Sequence, residues 1–270
     1  MKAYQKIIRE QKAKEKPLLL FPDKPDNIDL REVIVKPINY HTAEKIIKEY
    51  EWLGTMPTYS THYFGIYFDG TCGGVVVFGI SLPKSVMDSI CGEEYGDKVR
   101  VLSRGACVHW TPIGTASKLI SKSIKSLKNE GYKIIVAYSD ERAGEIGTIY
   151  QSCNFYYTGK STGGKEYLIN GRWRTGKGAS HYAHQKRNLN DYESRKRGVK
   201  YRYIYLIGTH KEKKEMLKKL KYDIKEYPKR IAVQDSRENR PDTIGESLGQ
   251  YQSTAQYLND KNNIRMRQNA

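Results

Sequence analysis

The sequence has 270 residues, with 47 Lys and Arg against 30 Asp and Glu, a formal charge of +17 at pH 7 and 38% hydrophobic residues. That length supports one or two domains with a real core, and the composition is too apolar for a disordered chain and too polar for a membrane protein. No apolar run nears the roughly 20 residues that span a bilayer. The N-terminus MKAYQKIIREQKAKEK lacks the apolar stretch of a secretory signal, and Cys72, Cys91, Cys107 and Cys153 form no C-x-x-C pair, which points to the cytoplasm and away from disulfides or a zinc knuckle.

Residues 1–30 read as a charged arm with an apolar patch at Leu18–Phe21. Val33–Val35 is a short strand ended near Pro37, and Thr42 offers an N-cap for a helix that turns Ile46, Ile47 and Tyr50 inward. Tyr63–Phe68 and Cys72–Phe78 are β-branched and aromatic runs joined by Asp69-Gly70, the pattern of a tight hairpin. Residues 80–98 read as loop with a possible helical turn. Val99–Val108 is a strand, Ser117–Asn129 an amphipathic helix with apolar residues three and four apart, and Lys133–Tyr138 a buried strand after Gly131. A short helix in GEIGTIYQSCNF precedes a strand at Tyr156–Tyr157, and Lys165–Trp173 has the form of a hairpin around Asn170-Gly171. Tyr201–Ile207 is the last strand, followed by a Lys-rich helix from Lys211 to Lys221. From Ala232 the chain is polar and cannot offset its ordering entropy, so disorder or order imposed by a partner is expected. Strands and helices alternate around one βαβ-like unit, residues 99–138, which predicts an α/β or α+β domain on a mixed sheet.

The loop TPIGTA between that unit's first strand and its helix is where chemistry is first expected. Successive N–H groups at the helix start, with Gly114, Thr115, Ala116 and Ser117 in close approach, would suit a pyrophosphate; a plain strand–loop–helix connection fits the same residues. Gly114-Thr115-Ala116 resembles the second half of the acyl-CoA loop Q/R-x-x-G-x-G/A of the GNAT superfamily of N-acyltransferases, with Thr111 where the Gln or Arg would stand. Ile149-Tyr150-Gln151-Ser152-Cys153-Asn154-Phe155 is similar to that superfamily's L-Y-x-x-x-G-F, with Asn154 in place of Gly.

A narrower resemblance covers residues 51–159. The strand with Arg104, Thr111-Pro112 before the helix bearing Ser117, the run IIVAYSD ending at Asp140, and GTIYQSCNFYYTG with Tyr150 together look like the Mom family of phage DNA-modification proteins; Met56-Pro57 matches upstream. The resemblance implies a GNAT-like mixed sheet flanked by helices, and a transferase that converts adenine in DNA to a carbamoylmethyl form and so protects it from restriction. It implies Arg104, Ser117, Asp140 and Tyr150 as site residues, and the wider GNAT resemblance implies an acyl-CoA-type donor. Where the family has His-Tyr this chain has Glu51-Trp52, so no metal is expected there.

Each of these residues also has a bland role. Arg104 suits a carboxylate or phosphate, or an ordinary ion pair. Asp140, at the carboxyl end of a strand where α/β sheets bind ligands, could orient an amine or act as its base, or cap the next helix. Tyr150 could protonate a departing thiolate or pack as a core tyrosine. Ser117 could cap its own helix. Glu51 could hold an amine beside Trp52, and Trp52, Tyr59 and Trp110 are candidate wedges for an extruded base, with core packing favoured for Trp110. His181 and His184 have helical metal-ligand spacing without a third ligand, and Cys107 and Cys153 read as core.

Residues 211–230 hold nine Lys or Arg and four Asp or Glu, and HYAHQKRNLNDYESRKRGVKYRYIY interleaves cations with tyrosines. Lys186, Arg187, Arg195, Lys196 and Arg197 are therefore candidates to track a DNA backbone, although a Lys-rich run is usually a solvated face. The expected division is an arm (1–30), a GNAT-like catalytic domain (31–175), a basic extension completing the sheet and binding nucleic acid (176–231) and a polar tail (232–270). Two other readings keep the fold: an N-acyltransferase acting on a protein, tRNA or small-molecule amine, and an inactive GNAT-like module that binds DNA or a virion. No membrane contact is expected.

Overall fold

The computed structural model describes residues 3–15, 25–161, 163–169, 171–175 and 189–229. Helix α1 (Tyr4–Glu15) precedes β1 (Ile34–Pro37), α2 (Tyr40–Tyr50), β2 (Ser60–Phe68), β3 (Thr71–Gly79), α3 (Lys84–Cys91), α4 (Glu93–Gly96), β4 (Val99–Cys107), α5 (Thr115–Asn129) and β5 (Ile134–Asp140). A 3-10 turn at Glu141–Ala143 leads to α6 (Thr148–Ser152), then β6 (Tyr156–Ser161), β7 (Lys165–Ile169), β8 (Arg172–Thr175), β9 (Ser194–Lys196), β10 (Lys200–Leu206) and α7 (His210–Lys219). Seven strands form one sheet in the order β1-β2-β3-β4-β5-β10-β6, and β8-β7-β9 form a small second sheet.

Every pairing in the large sheet is antiparallel except β4 with β5. That exception is the predicted βαβ unit, with α5 as the crossover. Strand β5, IIVAYSD, is buried along its whole length because it is central and covered on both faces. Helices α2 and α5 pack against β2, β3 and β4, closing a core around Ile47, Phe64, Val75, Val101, Leu127 and Ile135. The Asp69-Gly70 hairpin forms as expected, with both residues at positive φ (44° and 80°).

Some local expectations need correction. Asn39, not Thr42, caps α2, accepting a hydrogen bond from the Thr42 N–H at 2.8 Å. Residues 84–96 hold two helices rather than loop, and α5 starts at Thr115 behind Gly114 (φ 97°), so Ser117 lies inside the first turn and donates its hydroxyl to the Gly114 carbonyl instead of capping. The arm is not merely charged chain: residues 4–15 are helical, and Tyr4 and Ile8 pack on the core. The hairpin at Lys165–Trp173 forms, although its predicted turn residue Asn170 lies outside the described residues, as do Leu18–Phe21, Lys186, Arg187, His181, His184 and the polar tail.

Candidate active site

The parallel strands β4 and β5 pair only from Val99–Ile134 to Leu102–Ala137. At the next residue β4 carries a bulge: Leu102 opposes Phe78 and Arg104 opposes Val77, leaving Ser103 as the extra residue. A bulge ends local pairing and re-aims the side chains beside it. Beyond it β4 stays with β3 and β5 stays with β10, so the sheet opens into a split. A cavity of about 270 Å³ fills that opening, walled by β4, Tyr138 and Asp140 of β5, Ala116 and Leu119 of α5, Tyr150 of α6, Glu51 and Trp52.

Arg104 points into this space and is 2% exposed. Its Nε donates to the Thr55 carbonyl at 2.7 Å and its Nη1 to the Ser103 carbonyl at 2.6 Å, while Nη2 is buried with no hydrogen-bond partner among the described residues. Glu51 follows the last residue of α2, and its Oε2 lies 3.8 Å from Arg104 Nε. The same oxygen accepts from the Leu53 and Gly54 N–H groups at 2.8 and 3.2 Å. Burial drives the Glu51 carboxyl above its ordinary value, and Arg104 with those two N–H groups pulls back without overcoming it. Burial likewise pushes the Arg104 guanidinium down.

Asp140 is set the other way. It ends β5 with an exposure of 1%. Its Oδ2 is 2.9 Å from Lys200 Nζ, and its Oδ1 accepts the Arg142 N–H at 3.0 Å. It therefore caps the 3-10 turn and lines the cavity at once. Burial alone would raise it, yet Lys200 and then Arg142 outweigh that and hold the carboxyl below its ordinary value.

Tyr150 hangs from α6, which opens at Gly147 (φ 77°) against the ring of Tyr203. A Cβ on Gly147 would overlap that ring, so the glycine lets α6 sit close enough to turn Tyr150 toward the split. Asn154 has φ 58°, a left-handed conformation that Asn tolerates better than most residues, so the chain turns out of α6 there without a glycine. The Tyr150 hydroxyl makes a long contact of 3.5 Å to the Tyr138 carbonyl, and burial pushes its phenol far up, so it stays protonated.

The loop before α5 borders the same cavity. No side chain caps the helix, and Ala116 reaches the cavity. Thr115 is buried with its hydroxyl on the Pro112 carbonyl. Thr111, in the place of the Gln or Arg, is buried, and Arg9 of α1 sends Nη2 to its carbonyl at 2.9 Å and to those of Val108 and His109 at 3.3 Å. Arg9 thus ties the arm helix to that corner through backbone carbonyls. Gln5 bonds the Tyr50 carbonyl at 2.8 Å, and Tyr4 stacks on Trp52 at 6.5 Å, so α1 forms a wall of the cavity without filling it.

Trp52 lines the cavity. Tyr59 is 66% exposed at the foot of β2 and does not line it, and Trp110 packs edge-on against Phe68 as core. Arg195, Lys196 and Arg197 lie on or next to β9, in the second sheet. Cys107 and Cys153 are buried with thiols pushed up to about 12 and about 11, which suits core residues rather than nucleophiles. Among the described residues no group of three or more His, Cys, Asp or Glu could hold a metal, and no helix is long and apolar enough to cross a membrane. Lys200 carried no signal in the sequence, because only the pairing of β10 with β5 brings it to Asp140.

The model of one family, described as the Mom protein family, matches residues 32–229. No curated protein matches the sequence. Solved structures similar to the chain include a GNAT acetyltransferase from Streptococcus pneumoniae (14% identity, TM-score 0.39, 65% of this chain and 100% of that one). Others are the ribosomal-protein-S5-alanine acetyltransferase from Vibrio fischeri (10%, 0.40, 66% and 94%) and a GNAT acetyltransferase from Elizabethkingia anophelis with acetyl-CoA bound (11%, 0.37, 65% and 98%).

Proposed function

This chain belongs to the Mom protein family, and from that premise we propose that it is a GNAT-like transferase that modifies the exocyclic amine of adenine in DNA. The observation that carries the reading is the split itself: Arg104 with a buried, unpartnered Nη2, a low carboxyl at Asp140, a raised one at Glu51 and a protonated Tyr150 all face one cavity. Two carboxyl groups whose surroundings push them apart are the usual sign of divided acid–base roles.

In this reading Asp140, fixed as a carboxylate, accepts a hydrogen bond from the acceptor amine and orients it. Glu51, the better base of the two, takes the proton that the amine loses as its bond to the transferred carbon forms. Arg104 Nη2 holds the donor's oxygen where charge develops. Tyr150 gives its proton to the leaving group as the old bond breaks. An acyl-CoA-type donor would supply the activated carbon. The unpaired edge of β4 and the uncapped start of α5, with Gly114 and Ala116, would hold it. Cationic Lys196 on β9 and Arg197 just after it suit the phosphates of the DNA strand, while Arg195 holds Glu166.

The deciding experiment is mass spectrometry of digested DNA nucleosides from cells that express the chain, beside Asp140→Asn and Tyr150→Phe. A new adenine derivative lost in both variants supports the reading. Unchanged nucleosides together with acyl-CoA binding would move the acceptor to a protein, tRNA or small-molecule amine. Because α1 already walls the cleft, a binding module without turnover is the second reading, and unchanged nucleosides without donor binding would favour it.

A further inference from the structure

Of the four charged side chains buried at the split, Lys200 has no part in the reaction outlined above. Strand β10 runs antiparallel to β5 in a register that sets Lys200 directly opposite Asp140. The ion pair they form, 2.9 Å long, has both side chains 1% exposed or less. On its other oxygen Asp140 meets Arg142, whose Nη1 continues to Glu166 at 3.2 Å, and Glu166 is held in turn by Arg195 Nε at 3.1 Å. Charges of alternating sign therefore run from the inside of the cleft to the second sheet.

Burying an ammonium is costly, and a well-packed apolar residue in its place is often neutral or stabilising. A buried pair is thus weak ground for stability. It is stronger ground for fixing a charge where one is used.

We propose that Lys200 is a positioning residue that holds the Asp140 carboxylate ionised and turned toward the cleft, where it meets the acceptor amine. This deepens the reading of the site given above and rests on it. The charged and titratable groups around Asp140 are Lys200 of β10, Arg142 of the following turn, Arg104 of β4, Glu51 after α2, and Glu145 and Tyr150 before and on α6. Lys200 and Arg142 touch the carboxylate. Burial by itself would favour the neutral acid, so removing the ammonium returns Asp140 toward protonation.

The test is the titration of Asp140 by ¹³C NMR of the carboxyl-labelled protein, with the signal assigned by its loss in Asp140→Asn, alongside the pH profile of nucleoside modification. In Lys200→Met the Asp140 midpoint is expected to rise by about one to three units, the acid limb of the rate profile to move up with it, and kcat to fall about tenfold with the donor KM unchanged. Lys200→Arg keeps the charge and is expected to titrate within about half a unit of the native chain. Lys200→Gln gives the same readout as Lys200→Met should the latter not fold. A midpoint that stays at the native value in Lys200→Met or Lys200→Gln overturns the proposal, as does a Lys200→Arg chain that titrates like Lys200→Met. The NMR readout needs no turnover. A shifted midpoint without any modified nucleoside therefore counts against the reaction, not against the pairing.

Discussion

Replacing Arg104 with Met removes the cation and leaves Glu51 buried, 7% exposed, with only the Leu53 and Gly54 N–H groups on its carboxylate. Taking one partner from a buried pair costs about 3–5 kcal/mol, because the remaining charge has lost its compensation. At roughly 2–4 °C per kcal/mol for a chain of this size, the melting temperature at pH 8 falls by roughly 10 °C. The loss depends on pH with a definite sign. Glu51 in the folded chain already sits above its unfolded value of 4.5, so the stability tied to its protonated form is fully present below that value and lost as pH rises through the folded one. Arg104→Met raises the folded value further, so its deficit is largest at pH 8 and shrinks toward pH 5. Urea unfolding followed by circular dichroism at both pH values measures this, with Arg104→Met/Glu51→Gln as the second arm of a double-mutant cycle. The double variant is expected to recover at least half of the loss. An equal deficit at both pH values, or no recovery in the double variant, would refute the account of Glu51 as an uncompensated buried acid.

Tyr150→Phe removes a hydroxyl whose contact with Tyr138 is long, so stability should stay within about 1 kcal/mol while turnover falls about a hundredfold or more; calorimetry and the nucleoside assay separate the two. Gly147→Ala drives a methyl into the Tyr203 ring at a positive φ, and a loss of about 3 kcal/mol or failure to fold is expected in denaturant titration. Thr209→Ala breaks the capping box with Glu212 at the start of α7 and should cost about 1 kcal/mol by the same measurement. Lys196→Ala/Arg197→Ala should weaken DNA binding evenly across sequences and lower the slope of log affinity against log salt by about one to two, read by fluorescence anisotropy; an unchanged slope would move the DNA path away from β9.

The elements legible in the sequence are those whose pattern is local. The Asp69-Gly70 turn, the apolar stripe of α5 and the run IIVA of β5 each declare their structure within a dozen residues. Helix α1 is weakly marked in the sequence because its apolar residues Tyr4, Ile7 and Ile8 occupy only the first half, none of them is fully buried, and charged residues fill most of the rest. Helices α3 and α4 are short, so the sequence shows only loop with a possible helical turn there. In the site, Arg104, Asp140 and Tyr150 stood out through resemblance, and their shared cavity follows from the bulge at Ser103 and the left-handed Gly147. Lys200 and Glu166 carry no local signal, since each meets its partner, Asp140 or Arg142, only through pairing distant in the sequence.

The position of β10 between β5 and β6 also sets an order of events during synthesis. Ile134–Asp140 emerges from the ribosome well before its partner Lys200–Leu206, so until residue 206 is out one edge of β5 faces solvent, with Ile134, Val136 and Tyr138 on a strand that is buried in the finished protein. Such an edge invites wrong pairing with other chains. The chain is thus most vulnerable to aggregation while residues 141–199 are being made. A stop placed anywhere before β10 would leave the cleft side of the sheet open, however complete its upstream motifs.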